Sequence, residues 1–184
     1  MNIEIIRSNR KTLTIEVKSG PEVIARAPYR MPEVEIRRFI EQKSSWIERS
    51  IEKIRMQQDS RDAQPKLSLE EIQNLADQAL EVLPGKAAYY AKLVGVTYHR
   101  ITIRNQKSRW GSCSSKGNLN FNCLLMLTPK EVQDYVVVHE LCHRKEMNHS
   151  QNFWAEVKKV LPEYKKAENW LKANGGTIIS RMIQ

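Results

Sequence analysis

One run, Val136-Val137-Val138-His139-Glu140-Leu141-Cys142-His143, constrains this chain more than any other feature. Residues four apart on an α-helix lie one turn up on nearly the same face. His139 and His143 can therefore aim two imidazoles at one point. Glu140 sits about 100° further round the helix, beside that point. This is the H-E-x-x-H pattern: two metal ligands, with a carboxylate placed to take a proton from an activated water. A hydrolytic zinc site takes three protein ligands and keeps one position open. His149 is the candidate third ligand. Six residues past His143, a continued helix would turn it roughly 240° away. The chain must therefore bend, and Met147-Asn148 is the expected place, because Asn tolerates left-handed backbone. The preceding Tyr135-Val136-Val137-Val138 is apolar enough to bury the helix. Thr128-Pro129-Lys130-Glu131 reads as its start, with Thr as N-cap and Pro in the first turn, giving a helix over about Pro129–Arg144. The plain alternative is a His pair that only fills a helix face; it leaves His149 unexplained.

The rest of the composition narrows the class. The chain has 184 residues and is 41% hydrophobic, enough for one domain or two small ones. No run of 18 apolar residues appears, and the N-terminus lacks a signal-peptide layout. Cys113, Cys123 and Cys142 form no CxxC pair and read as reduced thiols of a cytoplasmic protein. The formal net charge is +9. It is uneven: Val82 to Lys130 contains no Asp or Glu but holds Lys86, Lys92, Arg100, Arg104, Lys107, Arg109, Lys116 and Lys130. That block is either a solvated basic face or a wall suited to an anionic substrate or nucleic acid.

Periodicity predicts an α+β chain. Asn2–Ser8, Lys11–Lys18 and Glu22–Ala27 read as strands of a small antiparallel sheet, with Leu13, Ile15 and Val17 on one face. Pro32–Gln58 reads as two helices broken near Lys43-Ser44, with Val34, Phe39, Ile40, Trp46, Ile47, Ile51 and Ile54 towards the core. A polar linker near 61–67 separates this region, 1–60, from a second one, 68–184. There, Ser68 and Glu71 form a capping box, Pro84-Gly85 divides a helical stretch, and Gly95 closes it. Val96–Arg104 and Asn118–Leu127 read as strands. Ser150 caps a helix carrying Phe153, Trp154 and Val157, and a last helix runs over about Glu163–Ala173 until Gly175-Gly176.

The chain resembles the YgjP-like family of small zinc metallopeptidases, related to SprT and WLM domains. The likeness rests on Arg109-Trp110-Gly111-Ser112-Cys113, Asn118 to Phe121, Tyr135 to His143, Asn148-His149-Ser150 and Phe153-Trp154, with Arg10-Lys11-Thr12 and Ala27-Pro28 near the start. It implies a zincin-like half: a twisted sheet packed on the motif helix. It also implies His139, His143 and His149 as ligands of zinc, or another divalent metal, with Glu140 as catalytic carboxylate. The metzincin glycine is replaced by Glu146, and no Met-turn is evident. A distal carboxylate, Glu156 or Glu163, stays open as the third ligand.

Three functions follow as expectations. In a peptidase, Glu140 is the general base, a peptide adds to the strand at Asn118–Leu127, and Arg109, Tyr135 and Tyr164 are candidate oxyanion donors. In a nucleotide pyrophosphatase, which the resemblance permits for substrates such as UTP, Arg109 grips phosphate. In a SprT-like protein, the basic surface meets nucleic acid. No membrane partner is expected, and the sequence leaves the oligomeric state open.

Overall fold

The computed structural model describes residues 3–18 and 22–182, so the expected strand start at Asn2 lies outside the described residues. The chain divides into two compact units, Met1–Ala63 and Gln64–Gln184. The first holds strands β1 (Ile3–Ser8), β2 (Thr14–Val17) and β3 (Val23–Pro28). Leu13, Ile15 and Val17 are half-buried while Thr14 and Glu16 are exposed, as the alternation requires. The sheet, however, is mixed rather than antiparallel. Its order is β1-β3-β2, with β3 parallel to β1 and antiparallel to β2. The cause lies in β3, where Val23, Ile24, Ala25 and Ala27 are all buried. A strand covered on both faces takes the middle. Arg7 then fastens β1 to the chain beyond β3, donating to the carbonyls of Pro28, Tyr29 and Met31 at 3.3, 3.1 and 2.7 Å.

Helices α1 (Glu33–Gln42) and α2 (Ser44–Asp62) follow, broken where the sequence indicates. Ile36 packs on Ala25 and Ala27, with Ile40 one turn on. Val34 lies about 200° round from Ile36 and is 69% exposed. Trp46, expected in the core, is 46% exposed, and its neighbour Ile47 is buried instead. Helix α2 reaches Asp62, two residues into the stretch 61–67 expected as linker, and the rest of that stretch is neither helix nor strand.

In the second unit, α3 (Leu69–Val94) runs unbroken through Pro84. The expected division fails for a packing reason. Leu75, Ala79, Leu83, Ala87 and Ala91 recur every fourth residue and are all buried. Proline deprives the carbonyl of Leu80 of its partner, but Leu80 is 55% exposed, where water can serve. Ser68 and Glu71 form the expected capping box, and Gly95 ends the helix with φ 76°. The second sheet comprises β4 (Arg100–Arg104), β5 (Gly111–Cys113) and β6 (Asn118–Asn122), in the order β4-β6-β5. The expected strand to Leu127 stops early. Asn122 is fully buried, its side chain accepts from the Leu124 amide, and Cys123–Leu127 turns into a 3-10 helix.

The motif helix α4 (Lys130–Cys142) packs on α3 and on that 3-10 turn. Thr128 is not its cap: its hydroxyl donates back to Leu125. Helices α5 (Gln151–Val160) and α6 (Tyr164–Ser180) complete the unit. Ser150 caps α5 through the Phe153 amide. Helix α6 continues through Gly175-Gly176, and a Cβ on Gly175 would lie 3.2 Å from the Trp110 indole. The bare helix face is used as a seat. The unit's ends are stitched together: the Leu67 amide donates to Arg181 O at 2.8 Å, Lys66 Nζ to Ser180 O at 2.6 Å and Arg181 Nε to Pro65 O at 3.2 Å.

Removing the α3 cap should be measurable. Ser68→Ala is expected to lower stability by about 1 kcal/mol in urea denaturation. The Ser68 backbone and hydroxyl hold the Glu71 carboxyl below its ordinary value. Its contribution is thus present above about pH 4.5 and is lost as pH falls through the folded value. The gap between wild type and Glu71→Gln should therefore close on acidification.

Candidate metal centre

Helix α4 is buried almost all round: Val132, Val136, Val137, Val138 and Leu141 are 0–3% exposed. It carries His139 and Glu140 and hands over to His143 at its end. The chain then turns through 143–145 and bends at Met147-Asn148, which brings His149 back before α5 begins. No described non-glycine residue has positive φ, so the bend does not use left-handed Asn. Each of His139, His143 and His149 offers a ring nitrogen, and these atoms lie within 4.8 Å of one another. His139 Nε2 faces His149 Nε2 at 2.9 Å. His143 Nδ1 donates to the Glu146 carbonyl at 3.0 Å, which leaves Nε2 with its lone pair free.

These residues fit a divalent cation. Tetrahedral zinc with bonds of about 2.0–2.1 Å needs ligand nitrogens about 3.3 Å apart, a small adjustment from this cluster. Burial, then the neighbouring imidazoles of His143 and His149, push His139 down to about 3. Burial likewise lowers His143. Neutral imidazole is the ligating form. Glu156 and Glu163 are not in the cluster. Glu156 pairs with Lys145 and Lys159, and Glu163 with Lys166.

Glu140 is 6% exposed. Burial raises its carboxyl to about 8, and the Arg109 guanidinium pulls it down. A divalent cation alongside would favour the ionised form further. Arg109 itself is exposed. Of its acid-free block, Lys86 pairs with Asp134 and Arg104 bonds Asn120. Tyr135 and Tyr164 are buried. Their rings stack at 6.2 Å, Tyr135 meets His139 edge-on at 5.8 Å, and Trp154 stacks on Tyr164 at 5.4 Å. Burial keeps the Tyr135 phenol protonated far above its usual range.

Phe153 and Trp154, on the apolar face read from sequence for α5, also form the wall of the cluster. Phe153 stacks on His143 at 4.5 Å and Trp154 on His149 at 5.8 Å. Glu168, on α6, was not singled out by sequence. Its negative charge acts on both His139 and Tyr135. It stands in a Lys-rich helical run, where pairing with Lys165 and Lys172 makes it look like an ordinary surface residue.

The YgjP-like metallopeptidase-domain model matches residues 11–78 and 63–174. No curated protein matches the chain. Two solved structures resemble part of it. One is the metallopeptidase zymogen abylysin of Pyrococcus abyssi, 25% identical, TM-score 0.47, covering 50% of this chain and 94% of that one. The other is the metallopeptidase zymogen jannalysin of Methanocaldococcus jannaschii, 20% identical, TM-score 0.45, covering 50% and 95%. Among the described residues, no helix is long and apolar enough to cross a membrane.

Replacing one imidazole should abolish tight metal retention. His143→Ala is expected to lose stoichiometric metal in elemental analysis after dialysis, while its far-ultraviolet circular dichroism stays that of wild type.

Proposed function

The chain belongs to the YgjP-like metallopeptidase-domain family, and from that membership we propose that it is a zinc-dependent peptidase with Glu140 as general base. The observation that carries this is the convergence of three imidazoles within 4.8 Å, with Glu140 next to His139 on the same buried helix. His139, His143 and His149 would hold the cation, which supplies Lewis-acid activation of water and of the scissile carbonyl. Glu140 accepts the proton of the attacking water and delivers it to the departing amine. Burial raises this carboxyl above its ordinary value against the pull of Arg109, which makes it a stronger base than an exposed carboxylate.

The substrate cannot add to β6 as the sequence suggested, since β4 and β5 occupy both its edges. The neighbouring edge strand, β5, is the candidate surface for an extended peptide, and Arg109 stands two residues before it. Among the oxyanion donors, Arg109 is favoured: it is exposed, and its charge is felt at Glu140. Tyr135 and Tyr164 are committed to the stacked wall.

The test is a screen of zinc-loaded protein against peptide libraries and nucleoside triphosphates. Peptide cleavage that disappears in Glu140→Gln, with metal content unchanged, is the expected result. Phosphate or pyrophosphate release dependent on Glu140 would instead make it a nucleotide hydrolase. DNA binding that weakens steeply with salt, without turnover, would point to a nucleic-acid role. Arg109→Ala is expected to lower kcat about 100-fold, as loss of an oxyanion donor does, and Tyr135→Phe far less.

A further inference from the structure

Gly111 begins β5 and pairs with Phe121 of β6. Its backbone does not require glycine: the described glycines with positive φ are Gly95 and Gly117. What it supplies is space. A Cβ built on Gly111 would lie 2.8 Å from Glu140 Cγ, 2.8 Å from Glu140 Oε1 and 3.0 Å from Glu140 Cδ. The missing side chain is therefore the berth of the carboxylate itself.

The strand is also held at that distance. Asn122, fully buried, donates through Nδ2 to the carbonyls of Gln106 at 2.7 Å and Arg109 at 2.8 Å. Its backbone amide donates to Trp110 O at 2.9 Å. Trp110 rests against Gly175 of α6. The segment leading into Gly111 is thus pinned from both sides, so an added methyl would displace the Glu140 side chain rather than the strand.

We propose that Gly111 is a positioning residue for Glu140, its bare backbone setting where the carboxylate stands beside the imidazole cluster. The proposal rests on the hydrolase reading above. Gly111→Ala is expected to keep stoichiometric metal, because the three imidazoles are untouched. It should lower kcat about 100-fold, the loss expected for a reacting group misplaced by about 1 Å, with KM unchanged. Gly85→Ala is the control for glycine replacement, since a Cβ there meets nothing within 4 Å, and it should keep wild-type kcat.

A second measurement does not depend on turnover. In metal-free protein, urea denaturation should show Gly111→Ala destabilising when Glu140 is present and neutral when combined with Glu140→Ala, where the methyl enters vacated space. If Gly111→Ala alone fails to fold, the double variant should fold. Equal destabilisation in both backgrounds, a double variant that also fails to fold, or wild-type kcat in Gly111→Ala overturns the proposal. A wild-type protein that hydrolyses nothing overturns the hydrolase reading and the positioning role together, and the denaturation cycle then reports the packing contact alone.

Discussion

The burial of α4 on nearly every side is the interaction on which the second unit depends. Val132, Val136, Val137, Val138 and Leu141 meet α3, the 3-10 turn and α6. A helix packed that completely has no freedom to rotate, so the directions of His139 and Glu140 are fixed by apolar contacts rather than by polar ones. The same burial sets the chemistry. It dries the surroundings of Glu140 and His139, which raises the acid and lowers the base. Packing and reactivity thus have one cause.

Around this rigid helix the polar partners are few and specific. The Glu146 carbonyl fixes the tautomer of His143. The stacked series Tyr135, Tyr164 and Trp154 closes one flank, with Lys165 about 5 Å above the last two rings. Glu168 contributes negative charge at His139. The centre therefore combines imidazole nitrogen donors with the negative charge of a nearby carboxylate. That arrangement favours a cation more than three imidazoles would alone.

The local signals in the sequence were legible where one residue type has one strong use. The capping box at Ser68 and Glu71, the Ser150 cap, the break at Lys43-Ser44 and the i, i+4 histidines all depend on near neighbours. The errors arose where distant contacts override local preference. Pro84-Gly85 and Gly175-Gly176 read as helix ends, but buried Leu83 and Ala87 hold one helix together and Trp110 uses the gap in the other. The parallel pairing of β1 with β3 could not be read from alternation, which gives faces but not neighbours. Glu168 and Gly111 carry no periodic signal; each is identified only by what lies across from it.

The stitching of residues 65–67 to residues 180 and 181 has a consequence for how the protein is made. A ribosome delivers the beginning of α3 long before its fastening partners leave the exit tunnel. Until residues 180 and 181 emerge, the long helix has an untethered start. Closure of the second unit is thereby deferred until residues 180 and 181 have been made, and a chain truncated before them would leave the start of α3 unfastened and open to chaperones and proteases.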